Sequence, residues 1–128
     1  MASGTTETTI ERDPDTVWKV IGDFGGLASW LPGIESCETK GDDRVLSMMG
    51  MTIVETLRAR DDAKRAISYA ISESPLSLEH HDATITVYPA GGGSRVTWEV
   101  NIEPDTLLDM FVQTYAQGLA ALKANVEG

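Results

Sequence analysis

From Ile34 to Glu103 the residues alternate in character with a period of two, and at Pro104-Asp105 that alternation gives way to an apolar stripe with helical spacing. A period of two sends successive side chains to opposite faces of a strand, whereas recurrence every three to four residues marks one face of a helix. Turn chemistry cuts the alternating stretch at Gly41-Asp42-Asp43, Met49-Gly50, Asp61-Asp62 and Pro89 through Ser94, so it reads as a meander of antiparallel strands. With one earlier segment the predicted strands cover 5–11, 34–40, 44–49, 51–60, 64–73, 79–88 and 94–103. In the last segment Leu108, Phe111, Val112, Tyr115, Leu119 and Leu122 form a single stripe ending near Ala124, which predicts one long helix.

Between the first and second strands the chain is helical but interrupted. Asp13 can cap free amides while Pro14 occupies the first helical position, where a missing N–H does no harm. Val17, Val20, Ile21 and Phe24 follow at helical spacing, the Gly25-Gly26 pair ends that helix, and Leu27 to Leu31 reads as a further short turn before Pro32-Gly33. The order is strand, two short helices, six strands, long helix. Segregated strands and helices imply an α+β architecture, with a curved antiparallel sheet of about seven strands burying its inner face under the C-terminal helix. A chain of 128 residues with 41% hydrophobic content suffices for one core, so residues 1–128 read as one domain.

Charge and composition remove several functions. Ten Lys and Arg against 20 Asp and Glu give a formal charge of −10, a field that repels phosphate backbones and leaves nucleic acid an unfavourable partner. The N-terminus lacks a basic then apolar leader pattern and no stretch reaches the length of a membrane span, so the expected location is the cytoplasm. Cys37 is the only cysteine; it can form neither an internal disulfide nor a thiolate cluster and reads as a small, half-buried hydrophobe. There is no GxxxxGK loop and no HExxH, and Gly91-Gly92-Gly93 follows a strand without opening a helix. Adjacent His80 and His81 with a scattered Glu make a poor metal site, so neither metal nor cofactor is expected. Trp18 and Trp30 read as packing anchors.

Alternation also assigns the inner face. Ile53, Leu57 and Ala59 share one side, as do Ile67, Tyr69 and Ile71, then Ala83, Ile85 and Val87, then Val96, Trp98, Val100 and Ile102. Two polar residues fall on these faces: Glu55 between Ile53 and Leu57, and His81 in register before Ala83. A carboxylate there would be desolvated, its pKa raised, and able to exchange a proton near neutrality; the alternative is a bulge that returns Glu55 to solvent. Tyr69 and Tyr115 read as core residues whose hydroxyls find internal partners. Met48, Met49 and Met51 cluster at one hairpin, as core filler or as adaptable contacts to an apolar ligand.

In this order "VWKVIGDFGGLASWLPGI", "VETLRARDDAKRAISYAI" and "GGGSRVTWEV" resemble the START-like, helix-grip superfamily, and within it the polyketide cyclase/dehydrase and lipid-transport family. The likeness runs from Thr6 to Leu122 and rests on spaced hydrophobic, Gly and Pro positions, which makes it specific for fold and weak for reaction. It implies a sheet wrapped around the C-terminal helix, a V of short helices closing one end, and an elongated cavity between sheet and helix. The plant abscisic acid receptors, related by fold, carry a pocket Glu in the strand similar to "VETL", which falls on Glu55. Their gate loop and pocket Lys have no obvious counterpart, so hormone binding does not carry over. The implied cavity residues are Trp30, Ile53, Glu55, Leu57, Tyr69, Ile71, His81, Ala83, Trp98, Phe111, Thr114, Tyr115 and Gly118. Gly118 would either border open space or let the helix backbone pack closely against a strand or the early V.

Three functions follow as expectations. The first is binding or carriage of a hydrophobic small molecule (a lipid, polyketide or isoprenoid) by a monomer or weak homodimer. The second is an aromatase/cyclase or dehydratase in which Glu55 abstracts a proton α to a carbonyl while a Tyr or His stabilises the enolate. The third is an interaction module like the Hsp90-activator relatives of the fold. An enzyme needs an acid/base pair within hydrogen-bond reach, and only one convincing in-facing carboxylate is present, which favours binding.

Overall fold

Each turn of the meander returns the chain beside the strand it has just left. In the computed structural model, which describes Met1 to Gly128, β2 (Ser36–Lys40), β3 (Asp43–Met48), β4 (Met51–Asp61), β5 (Ala66–Glu73), β6 (His80–Ala90) and β7 (Gly93–Glu103) pair in succession. β1 (Ala2–Ile10) adds antiparallel to β7 and completes one seven-stranded sheet of order β1-β7-β6-β5-β4-β3-β2. The α+β helix-grip architecture is therefore present, with the short helices after β1 and a long helix at the C-terminus. No helix is long and apolar enough to cross a membrane.

Helix α1 (Pro14–Ile21) starts as its sequence requires: the Asp13 carboxylate accepts the Thr16 N–H at 3.2 Å and Pro14 opens the first turn. It buries Val17, Trp18 and Ile21. It also ends earlier than the Gly pair suggested, at Gly22, and Gly25-Gly26 lie inside the following 3₁₀ helix (Phe24–Ser29). The tighter repeat brings Leu27 into the core and points the chain back towards β2. At the far end a 3₁₀ turn (Asp105–Leu107) leads into α2 (Leu108–Glu127). This helix continues past Ala124 because Glu127 is tethered, accepting the Glu11 N–H at 2.8 Å and the Lys123 ammonium at 2.7 Å.

The inner face follows the alternation through β5, β6 and β7, where Ile67, Tyr69, Ala83, Ile85, Val87, Val96, Trp98, Val100 and Ile102 are all buried. In β4 it fails at one point. Leu57 pairs with Tyr69 but Ala59 pairs with Ser68, so Arg58 is the extra residue of a bulge. The phase reverses there: both Ala59 and Arg60 are exposed, but it is Arg60 that takes the register position opposite the buried Ile67. Its guanidinium lies 5.3 Å from the Trp18 ring centroid and donates to the Gly22 carbonyl, closing the end of α1.

Trp98 joins the layers. Its ring stacks on Tyr115 of α2 at 4.0 Å and 2°, lies 6.0 Å from Trp30 beyond the 3₁₀ helix, and donates its N–H to the Tyr69 hydroxyl at 3.1 Å. Gly118 makes that seat possible. It borders no open space but packs closely against a strand and the early V, through their side chains: a Cβ there would fall 3.0 Å from Trp98 Cζ3 and 2.8 Å from Leu31 Cδ1. We predict that Gly118→Ala is destabilising. The leucine tip can turn away but the stacked indole cannot, so overpacking of about 1–3 kcal/mol outweighs the ~1 kcal/mol that Ala gains in helix propensity. A net loss of about 1 kcal/mol in urea unfolding is expected; a gain would show that the indole yields.

Candidate functional site

Helix α2 rests mainly on β1 and β7, which leaves the inner face of β3, β4 and β5 without a helix above it. A cavity of about 270 Å³ lies there, and 15 of its 19 lining residues are hydrophobic. Its mouth is soft. Met48, Met49 and Met51 of the β3–β4 hairpin face Leu76 and Met110 around it. Positive φ at both Met49 (53°) and Gly50 (75°) gives the two-residue turn that matches strand twist, and this turn holds Met49 out in solvent at 79% exposure. The interior is stiffer, walled by Tyr69, Trp98, Phe111 and Tyr115.

Two charged residues line the cavity, Arg44 and Glu55. They are direct neighbours across β3 and β4, and both are buried. The guanidinium places Nε at 2.8 Å and Nη2 at 2.7 Å on Glu55 Oε1, and Nη1 donates to the Phe24 carbonyl at 2.9 Å. The Phe24 ring covers the same guanidinium, with Cζ 4.0 Å from its centroid. The second arm of the V thus supplies one hydrogen bond and one aromatic face to a buried cation. Burial pushes the Glu55 carboxyl above its ordinary value, and the Arg44 charge works against that rise. Since both bonds converge on Oε1, the second carboxylate oxygen is left as an acceptor.

Behind the aromatic wall lies His81. Its Nδ1 accepts the Ile71 N–H at 3.2 Å, which leaves the proton of a neutral ring on Nε2, and that atom meets the Tyr115 hydroxyl at 2.8 Å. Desolvation lowers its pKa to about 4, so the ring is neutral at pH 7. Burial likewise pushes both phenols, Tyr69 and Tyr115, up from their ordinary value.

Of the implied site residues, Ile53, Glu55, Tyr69 and Ile71 from the sheet line the cavity, as do Trp98 and, from α2, Phe111, Thr114 and Tyr115. Thr114 sits at the rim, its hydroxyl donating to Met110 O at 2.8 Å. Five others lie outside the lining. Trp30 is buried behind Trp98, and Gly118 is capped by the Trp98 and Leu31 side chains. His81 is screened by Tyr69, Phe111 and Tyr115, with ring centroids 5.9 and 5.4 Å from the first two. Ala83 is buried in β6 next to Tyr69, too short to reach the cavity, and Leu57 precedes the bulge, where β4 turns towards α1. The sequence reading missed Arg44. A usable signal was present: Arg44, Leu46 and Met48 alternate onto one face after the Gly41-Asp42-Asp43 turn.

The sequence profile of the family described as polyketide cyclase/dehydrase and lipid transport matches residues 1–127. Among solved structures the chain is similar to the protein XoxI from Bacillus cereus, at 32% identity and a TM-score of 0.91 over 97% of this chain and 94% of that one. An uncharacterized protein from Bacillus thuringiensis is 29% identical, with a TM-score of 0.89 over 98% of each chain. Ara h 8.0201 shares the fold at 19% identity and a TM-score of 0.78, covering 98% of this chain and 97% of that one. No curated protein matches the sequence.

Two outcomes follow from the buried polar groups. Arg44→Met leaves an unpaired carboxylate in an apolar wall and is expected to cost about 3–5 kcal/mol, whereas Arg44→Met with Glu55→Leu removes both charges and recovers most of that loss in denaturant unfolding. For His81 the folded pKa is depressed, so between about 6.5 and about 4 the unfolded chain binds the extra proton and stability falls with acidification. The full contribution is present above pH 6.5 and lost on descending to about 4, a total near 3 kcal/mol at ~1.4 kcal/mol per pH unit. In His81→Leu that portion of the pH–stability slope is expected to vanish.

Proposed function

The chain belongs to the polyketide cyclase/dehydrase and lipid-transport family, and from that premise we propose that it binds and carries a hydrophobic small molecule in the cavity between sheet and helix. The observation that carries this reading is the lining itself: about 270 Å³ of space in which 15 of 19 bordering residues are hydrophobic. Water in such a space finds few hydrogen-bond partners. A closed dry void of that size would cost on the order of 6 kcal/mol at ~24 cal/mol per Å³, a large share of a typical domain's stability of ~5–15 kcal/mol. An apolar occupant removes the conflict.

The pairing of Glu55 weighs against the cyclase or dehydratase alternative. A general base must release and regain its proton within hydrogen-bond reach of substrate, whereas this carboxylate already accepts two bonds from a buried guanidinium. His81, the other candidate, is engaged at both ring nitrogens behind the cavity wall.

Screening fatty acids, sterols and polyphenols by thermal shift tests the proposal. A ligand at 100 times its dissociation constant adds about 2.7 kcal/mol of stability, and its NMR perturbations are expected at Ile53, Ile71, Phe111 and the cavity methionines. Absence of a shift with every class, or perturbations confined to the outer face of the sheet, would overturn the assignment.

A further inference from the structure

The two edges of the sheet, β1 and β2, are finished differently. β2 is five residues long and holds Glu38 and Lys40 in solvent, features that discourage further pairing. β1 runs for nine residues in unbroken register against β7, without a proline, a lysine or a bulge, and its four threonines and Ile10 favour extended backbone. Glu7 is its one charged side chain, and Arg95 of β7 donates to that carboxylate at 3.2 Å.

Backbone direction shows which groups this edge offers. Alternate residues of a strand turn their N–H and C=O to opposite neighbours. The Glu103 carbonyl accepts the Glu79 N–H at 2.8 Å, so the odd residues of β7 face β6 and its even residues, Ser94 to Ile102, face β1. Their partners are the even residues of β1, which leaves Ser3, Thr5, Glu7 and Thr9 with both backbone groups turned outward. Helix α2 closes one end of that row: the Lys123 ammonium donates to the Thr9 carbonyl at 2.6 Å, and the Glu127 carboxylate accepts the Glu11 N–H at 2.8 Å. At Ser3, Thr5 and Glu7 no other part of the chain takes the outward donors and acceptors. The inner face beside them is also incompletely covered, since Thr6 and Thr8 are only half-buried.

We propose that β1 pairs antiparallel with β1 of a second copy of this chain, about a two-fold axis at Thr5. Thr5 then faces its own counterpart and Ser3 faces Glu7 of the other copy, each pair exchanging two ladder bonds. The occupant is a second copy because the strip is complementary to itself, as a two-fold contact requires. This register uses all three open residues, sets no charge against a like charge, and stops short of the Lys123 cap at Thr9. An axis at Glu7 would instead oppose two carboxylates. Helix α2, lying over β1, adds no repulsion, because it has no charged residue from Met110 to Leu122. Elsewhere a net charge of −10 drives two copies apart, so the neutral strip is where they can meet. The cavity lies over β3, β4 and β5, and the pairing is independent of what it holds.

So short a strip makes an interface at the small end of the range, with an expected Kd of about 10 µM to 1 mM. Sedimentation equilibrium of the full chain across those concentrations is expected to show the mass rising from one chain towards two. Raising salt from about 20 to about 300 mM is expected to strengthen association, because it screens the repulsion between two acidic copies. Amide exchange followed by NMR is expected to slow at Ser3, Thr5 and Glu7 as concentration rises. Thr5→Pro removes an outward N–H without touching the ladder to β7, at a position where an edge strand tolerates proline, and is expected to weaken association about 10-fold or more. Should that variant fail to fold, the concentration-dependent exchange decides on its own. A single chain at every concentration, at high salt as well, would overturn the proposal and leave the edge to a strand of another protein or to solvent. A dimer with unchanged exchange at those three amides, or one that weakens as salt rises, would overturn it in favour of a different face.

Discussion

One helix is too narrow for this sheet, and the rest of the structure follows from that mismatch. Seven strands at about 4.8 Å spacing span roughly 30 Å, while a helix with its side chains is about 10–12 Å across. Helix α2 therefore covers β1 and β7 and can cover little more. The remaining inner face needs other material. Helix α1 packs over β6 and β7, and the 3₁₀ helix closes against β2. Between these covers, over β3, β4 and β5, the layer separation exceeds what single side chains fill, and the cavity opens there. Leu27 of the 3₁₀ helix, with Leu31 and Ile34 beyond it, lines the cavity on the side of the V.

Enclosure makes every polar group inside it a liability unless it is paired. The two cases here are solved differently. Arg44 and Glu55 face each other in register on adjacent strands and neutralise one another, and the leftover guanidinium donor is taken by the Phe24 carbonyl of the 3₁₀ helix. Sheet register and V are thereby coupled: a slip of β3 against β4 by one residue would turn both charges to the opposite face and strip the V of its polar anchor. His81 is solved by neutrality. With a backbone donor on one nitrogen and a phenol on the other, it bridges the β5 backbone to α2 without introducing charge. A buried ion pair adds little net stability compared with apolar packing; its consequence here is one register and one seat for the V.

Much of this was readable from the chain. The change of period at Pro104, the turn residues between strands and the Asp13-Pro14 start are local signals with local causes, and they gave the element order and the in-facing sets of β5 to β7. The Glu55 position followed from the same alternation. What escaped was whatever depends on two segments meeting. Arg44 stands just after an acidic turn, where a lone charge normally means solvent, and only its pairing with Glu55 makes it an inward residue. The bulge at Arg58 has no glycine or proline to announce it, so Ala59 and Arg60 exchanged faces unseen. Gly118 was legible as an anomaly in a helix, but its cause, the edge of an indole arriving from β7, belongs to the packing. The same limit separates cavity wall from cavity backing: His81 and Ala83 point inward by phase, yet Tyr69 and Phe111 stand in front.

The two ends of the cavity differ in stiffness, and that difference bears on selectivity. At the inner end the rings are stacked and edge-on, and an indole N–H and a histidine hold the hydroxyls of Tyr69 and Tyr115, so the wall there cannot reshape by side-chain rotation. At the mouth the methionines have unbranched, polarizable side chains that reshape around varied apolar surfaces at small cost; Met49 is already largely in solvent and Met110 partly so. An apolar pocket separates molecules that differ by one methylene only weakly, so stricter discrimination has to come from the rigid end. Trp98 from β7 and His81 from β6 back the two tyrosines, so the stiff end lies where the sheet and α2 are held together and the soft end at the β3–β4 hairpin.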